Sequence, residues 1–201
     1  MGFTFEEKIM RKLQMKMSMS LDGFVSGPGG SLDWIFKTGD EQSKAMALEQ
    51  CSAAGLIIMG RKSFEGTASY WPTSTDAFAR PMNEIPKAVF TKNGYKGYDP
   101  GPDPSPAALS WANARIFEGD LVQGINELKA EEGKPISAIG GAEFMRSLIA
   151  ARLIDEFYLF IHPVALGSGL RIFDGIEDPL YLNLVDVKVF PKGTTLHIYK
   201  L

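Results

Sequence analysis

Residues 115–164, RIFEGDLVQGINELKAEEGKPISAIGGAEFMRSLIAARLIDEFYLFIHPV, hold the clearest architectural signal in the chain. Arg115-Ile116-Phe117 has the size and composition of a short strand. Asp120 is placed to cap a helix whose apolar stripe is Leu121, Ile125 and Leu128, and Gly133 ends it. Ile136 to Ile139 predicts a strand, Gly140-Gly141 a tight turn, and Ala142 to Arg152 a second helix with Met145, Leu148, Ile149 and Leu153 facing inward. Ile154 to Val164 is apolar apart from Asp155, Glu156 and His162, the composition of a strand in the middle of a sheet. Strand, helix, strand, glycine turn, helix, strand is the order that parallel strands with crossover helices produce.

Upstream, Leu13 to Ser20 alternates apolar Leu13, Met15, Met17 and Met19 with polar Gln14, Lys16, Ser18 and Ser20, which predicts a half-buried strand. Gly27-Pro28-Gly29-Gly30 marks a loop, and Asp40 to Ala54 a weakly apolar helix. Leu56 to Met59, bounded by Gly55 and Gly60, is too short for a helix and predicts a strand buried on both faces, as does Ala88-Val89-Phe90. Asp99 to Pro106 carries four prolines and predicts a surface excursion rather than a domain boundary. Downstream, Leu182 and Leu184 alternate on one phase and Val185, Val187 and Val189 on the other. Pro191-Lys192-Gly193 then separates them from Leu196 to Tyr199, the pattern of a terminal antiparallel hairpin. The expectation is an N-terminal lead over residues 1–12 and one α/β domain over 13–201. Its sheet is mixed and largely parallel, flanked by helices, with that hairpin at the end.

The composition narrows the function. With 21 Lys and Arg against 24 Asp and Glu among 201 residues, the net charge is -3, which argues against nucleic acid as the partner. One cysteine and two histidines exclude an internal disulfide and any Cys- or His-rich metal site, so no metal is expected. No apolar run is long enough to span a bilayer and no secretory pattern opens the chain, so the expected setting is cytoplasmic, away from membranes.

Three strand ends could carry chemistry. Gly60-Arg61-Lys62-Ser63 joins a buried strand to a helix, where backbone amides and two cations suit a phosphate and Gly60 allows close approach; a solvated basic turn capped by Ser63 fits as well. Gly140-Gly141-Ala142-Glu143 repeats the arrangement, with Thr91-Lys92 at a third strand end, and open α/β sheets bind ligands beyond such ends. Ser20-Leu21-Asp22-Gly23 puts an acid at the end of the first strand: Asp22 orients a substrate or assists proton transfer, or else belongs to an Asp-Gly turn. Trp34 is a wall for a ring or the anchor of its loop. His162 reads as a core residue with satisfied nitrogens.

In order along the chain, Ser20-Leu21-Asp22-Gly23, Met59-Gly60-Arg61-Lys62-Ser63-Phe64-Glu65-Gly66, Trp71-Pro72, Pro86-Lys87-Ala88-Val89-Phe90, Gly140-Gly141-Ala142-Glu143 and Asp155-Glu156 through His162-Pro163-Val164-Ala165-Leu166-Gly167-Ser168-Gly169 resemble the dihydrofolate-reductase-like family. The best match is to the C-terminal reductase domain of the bifunctional riboflavin-biosynthesis deaminase/reductase and its stand-alone relatives. The resemblance runs from about Gln14 to the C-terminus. It implies an oxidoreductase that takes a hydride from NADPH to a small polarised C=N or C=O substrate, and often a homodimer. It further implies that Gly60, Arg61, Lys62 and Ser63 hold the adenosine side, with Arg61 near the 2′-phosphate. Thr91 and Lys92 would border the adenosine, Gly140, Gly141, Ala142 and Glu143 would take the pyrophosphate, and Asp22 would contact substrate with Phe24 and Trp34 as pocket neighbours. Departures are the missing zinc-deaminase signature, which excludes deamination, Thr91-Lys92 where relatives carry Ser-Arg, and no clear folate-type acid unless Asp33 serves. A nucleotide-binding protein without turnover, a structural dimer with an empty cleft, and a true folate reductase are the alternatives.

Overall fold

Leu13–Ser20 (β1) lies inside an eight-stranded sheet, between a strand at Ile136–Ala138 and one at Glu156–His162. This corrects the half-buried expectation. Gln14, Ser18 and Ser20 are buried along with Leu13 and Met15, because helices cover both faces. The polar residues are tolerated where they find partners: Gln14 Nε2 donates to Glu156 Oε2 at 2.8 Å, and Ser20 Oγ donates to Asp22 Oδ1 at 2.6 Å.

The computed structural model describes residues 10–201, so most of the expected lead (residues 1–9) lies outside the described residues. After β1 come Asp33–Thr38 (α1), Glu41–Ser52 (α2), Leu56–Gly60 (β2), Arg61–Ala68 (α3), Ala79–Glu84 (α4), Lys87–Thr91 (β3) and Pro106–Ala112 (α5). Then follow Arg115–Glu118 (β4), Leu121–Ala130 (α6), Ile136–Ala138 (β5), Ala142–Ala150 (α7), Glu156–His162 (β6), Asn183–Val189 (β7) and Thr195–Lys200 (β8). The strand order is β4-β3-β2-β5-β1-β6-β8-β7, parallel throughout except that β8 runs antiparallel to both of its neighbours. The fold is thus a single α/β domain with a mixed, largely parallel sheet and a C-terminal antiparallel hairpin.

One face of the sheet is packed by α6 and α7, whose Ile125, Leu128, Met145, Leu148 and Ile149 meet Leu13, Met15, Ile58 and Ile136. The other face holds Ile57, Met59 and Val89 against Phe64, Met82 and Trp111 from α3, α4 and α5. Three short helices, α1, α4 and α5, have too few turns for a visible apolar period. Proline also misleads at α5. Pro106 occupies the first helical turn, where a missing N–H costs nothing, and Ser105 Oγ accepts from Ala108 N at 3.2 Å. The surface excursion therefore ends at Ser105 and opens a helix. The α6 helix stops at Ala130, before Gly133, and α7 stops at Ala150, with Arg152 at a φ of 53° reversing the chain.

In the hairpin, the change of phase within Leu182 to Val189 corresponds to a β-bulge between Leu184 and Asp186. The extra residue resets the pleat, so Leu184 opposite Tyr199, Val187 opposite His197 and Val189 opposite Thr195 share one face.

Candidate active site

In the sheet β2 and β5 are neighbours, with Ile58 opposite Ala138, so the helices that follow them start side by side. Gly60 precedes α3 and Gly141 precedes α7, and neither N-cap supplies a side-chain acceptor. Both first turns therefore present amides and the positive end of a helix dipole to one place. A single bond links them: Gly141 N donates to Ser63 Oγ at 2.9 Å. Gly140 has a φ of +132°, and a Cβ there would lie 2.9 Å from Ser63 Oγ, so this turn can be closed only by glycine.

Between these helix starts and the ends of β3 and β4 opens a cavity of about 500 Å³. Gly60, Arg61, Lys62, Ser63, Thr91, Lys92, Gly141, Ala142 and Glu143 all line it, and Gly140 lies behind the turn. Segments widely separated in sequence thus meet at one rim. Gly60 lines the cavity and also serves the packing: a Cβ there would come within 3.1 Å of Phe144 Cβ, so the glycine lets α7 lie close against β2. Ser63 does not cap α3, since its hydroxyl is the strut that accepts from Gly141. Lys62 Nζ lies 3.5 Å from Glu143 Oε2 across the mouth, an exposed pair of little energetic weight.

Sequence reasoning missed the cavity's aromatic floor, Phe90 and Phe144, whose rings stack at 5.7 Å between centroids, with Phe117 stacked on Phe90 at 5.0 Å. It also missed Asn93, Gly119, Ser147 and Leu170. Asn93 and Gly119 follow the carboxyl ends of β3 and β4, so the rule that located Thr91 and Lys92 reaches them too. Nothing local marks Leu170, which arrives from the loop after β6 through a bridge with Ser26.

Asp22, Phe24 and Trp34 stand apart from these lining residues. Asp22 Oδ1 accepts from Ser20 Oγ, while Leu166 N at 3.0 Å and Gly167 N at 2.7 Å both reach Oδ2. Those donors, the Ser20 hydroxyl first and the Gly167 amide next, hold the carboxyl down to about 2. An acid so held is ionised at neutral pH and acts there as an acceptor. Its shown work is to fasten the loop after β6 to the end of β1. Phe24 is 6% exposed beneath the Arg171 guanidinium, which sits 4.2 Å from the ring centre. Trp34, also 6% exposed, donates from Nε1 to Ser31 O at 3.2 Å and meets His162 edge-on at 5.2 Å. Both rings are thus packed in the fold, and Trp34 anchors its loop, one of the two readings the sequence offered.

His162 is a core residue as read from the sequence. Its Nδ1 lies 2.8 Å from Thr38 Oγ1, whose proton goes to Trp34 O, so the ring nitrogen donates. Desolvation, then the charge of Lys16, lowers it to about 4. Among the described residues no group of three or more His, Cys, Asp or Glu is arranged to hold a metal ion, and no helix is long and apolar enough to cross a membrane.

The family model of the RibD C-terminal domain matches residues 11–196. The chain belongs to the RibD C-terminal domain family. Another protein similar to this RibD-type chain is the uncharacterized protein YyaP of Bacillus subtilis, 31% identical over 190 residues and covering 94% of both chains. Solved structures share the fold, two of them as follows. The Thermotoga maritima diaminohydroxyphosphoribosylaminopyrimidine deaminase/5-amino-6-(5-phosphoribosylamino)uracil reductase has a TM-score of 0.66 at 16% identity, over 95% of this chain and 56% of that one. Dihydrofolate reductase of Enterococcus faecalis has a TM-score of 0.56 at 15% identity, over 94% of this chain and 95% of that one. The family match and these structures agree on a dihydrofolate-reductase-like fold for the chain.

Proposed function

We propose that this protein is an NADPH-dependent reductase that delivers a hydride to a small polarised C=N or C=O substrate. The observation that carries the reading is the meeting of two helix starts and three cations at one cavity with an aromatic floor. The residues fit such a coenzyme. Arg61, Lys62 and Lys92 supply charge for phosphates, the amides opening α3 and α7 supply donors, and about 500 Å³ is within the range of cofactor sites.

In this reading Arg61 holds the 2′-phosphate, Thr91 and Lys92 border the adenosine, and Gly141, Ala142 and Glu143 flank the pyrophosphate. The coenzyme, when bound, supplies the hydride. The chain's part is alignment: Ser63 fixes the two helix starts relative to each other, and Asp22 fixes the loop that brings Leu170 to the rim. Holding two reactants in register accounts for about 7–11 kcal/mol of a barrier, so a site without a neutral-range acid still suffices. A second reading, a nucleotide-binding protein without turnover, is favoured by one observation, the full engagement of Asp22 by its neighbours.

NADPH titration of the wild type against Arg61→Ala tests the site. Loss of a charge-assisted contact of about 1.5–3 kcal/mol weakens binding roughly tenfold or more. Equal affinities would remove Arg61 from the site. Absorbance at 340 nm with a panel of carbonyl and imine substrates separates the two readings, because the second predicts binding without oxidation.

A further inference from the structure

We infer that Arg171 anchors an oxyanion, a carboxylate or a phosphate, carried by the substrate, so that the substrate is an anionic carbonyl or imine compound rather than a neutral one. This inference rests on the reductase reading of the cavity and adds the substrate's charge to it.

The pairing of the arginines singles out Arg171. Arg11, Arg80, Arg115 and Arg146 each reach a carboxylate, and Arg152 reaches the Pro179 carbonyl. Asp174, the acid nearest to Arg171 in sequence, is taken by Arg146. Among the described residues, the guanidinium groups of Arg61 and Arg171 alone meet neither a carboxylate nor another hydrogen-bond acceptor. Each keeps a fork of N–H donors for a ligand.

These two cations stand at different ends of one row of strand ends. Arg61 follows β2, whereas Arg171 lies over the end of β1, where a Cβ built on Gly23 would be 3.8 Å from its Nη1. β5 separates β2 from β1, which puts about 10 Å of sheet between the two strand ends. With coenzyme phosphates at Arg61 and at the starts of α3 and α7, the β1 end is left for the substrate. Leu170, the residue before Arg171, lines the cavity.

Arg171 is also held in place before any ligand arrives. Its carbonyl accepts from Arg146 Nε, Leu170 before it bonds to Val25 and Ser26, and Ile172 after it is fully buried. The guanidinium sits over the buried Phe24 ring, which attracts the cation while its N–H groups stay open to an oxyanion. The same rim has a second unfilled group. Ser26, bridged to Leu170, is 8% exposed, and its Oγ has no partner among the described residues. A buried hydroxyl in that state is an exception in folded proteins, and a ligand group beside Leu170 would satisfy it.

Calorimetric titration of the NADP⁺-saturated protein tests the inference, with 4-formylbenzoate against its methyl ester and glycolaldehyde phosphate against glycolaldehyde as probes. The wild type is expected to bind at least one anionic probe roughly tenfold or more tightly than its neutral counterpart. The pair that shows the preference tells carboxylate from phosphate. Arg171→Met keeps an apolar stem over Phe24 and removes the charge. It should abolish the preference while leaving the affinities for NADP⁺ and for the neutral probes nearly unchanged. An arginine with a merely structural role would instead lower Tm and all probe affinities together, with their ratio unmoved. Arg171→Lys keeps the charge but not the fork and should retain only part of the preference. If the methionine variant fails to fold, an undiminished preference in Arg171→Lys counts against Arg171. A wild type that binds NADP⁺ but holds neither anion more tightly than its neutral counterpart overturns this inference alone, as does a preference that survives Arg171→Met. A wild type that does not bind NADP⁺ overturns the reductase reading, and this inference falls with it.

Discussion

A carboxylate at the end of a strand can move protons or hold loops, and the count of its donors separates the two. Asp22 receives one hydroxyl and two amides, which keeps it ionised well below neutral pH. Because its folded pKa of about 2 lies below the ordinary 3.8, its stabilisation is complete above about pH 4 and disappears as pH falls through 2. Asp22→Asn turns one acceptor into a donor that faces the Leu166 and Gly167 amides. It should therefore melt at a lower temperature than the wild type at pH 7, with the gap closing as the melts are repeated from pH 4 down to pH 2. A constant gap would mean that the carboxylate is not what holds the loop. Residue identity made Asp22 legible as a candidate, but its role depended on amides more than 140 positions away, which no local pattern reveals. Arg61 and Lys92 were legible for the opposite reason, since the ends of buried strands are marked by composition. The sequence left Trp34 open between two roles, because an aromatic ring next to a loop reads alike whether it lines a pocket or anchors the chain.

Among the elements, the glycine turn before α7 bears the tightest constraint. Gly140 combines a left-handed backbone with a missing Cβ only 2.9 Å from a hydroxyl, whereas Gly141 has an ordinary φ of -76° and a looser 3.3 Å approach. Gly140→Ala should cost roughly 1–3 kcal/mol and weaken NADPH binding, because the Ser63 strut must move. Gly141→Ala should be the milder of the two in thermal melts, and the reverse order would show that the turn is not held as described. The longer elements were readable because their periods are long enough to register. The helices α1 and α4, with six residues each, were not, nor was α5, whose first residue is a proline. The two apolar phases of 182–189 were visible in the sequence, yet their union on one face required the bulge, a feature of pairing rather than of residue type.

For the molecule as a whole, a ligand bridging the starts of α3 and α7 stabilises only the folded state. NADPH at a hundredfold excess over its dissociation constant stabilises by about 2.7 kcal/mol. For a domain of this size that raises Tm by about 5–10 °C. Scanning fluorimetry with and without NADPH checks this, and an unmoved Tm would contradict the proposed site. The alternation of strands and helices announced an α/β domain, and the ordered motifs its family. Strand order was hidden, because β1 takes as neighbours β5 and β6, strands that come much later in the chain. This arrangement also bears on how the protein is made. β1, the first of the described strands to leave the ribosome, carries Leu13, Met15, Met17 and Met19 and has no partner in the sheet until Ile136 and then Glu156 to His162 have been translated. Closure of the sheet is therefore a late, non-local event in biosynthesis, and a nascent chain interrupted before β6 carries a sticky methionine-rich ribbon that a chaperone must shelter.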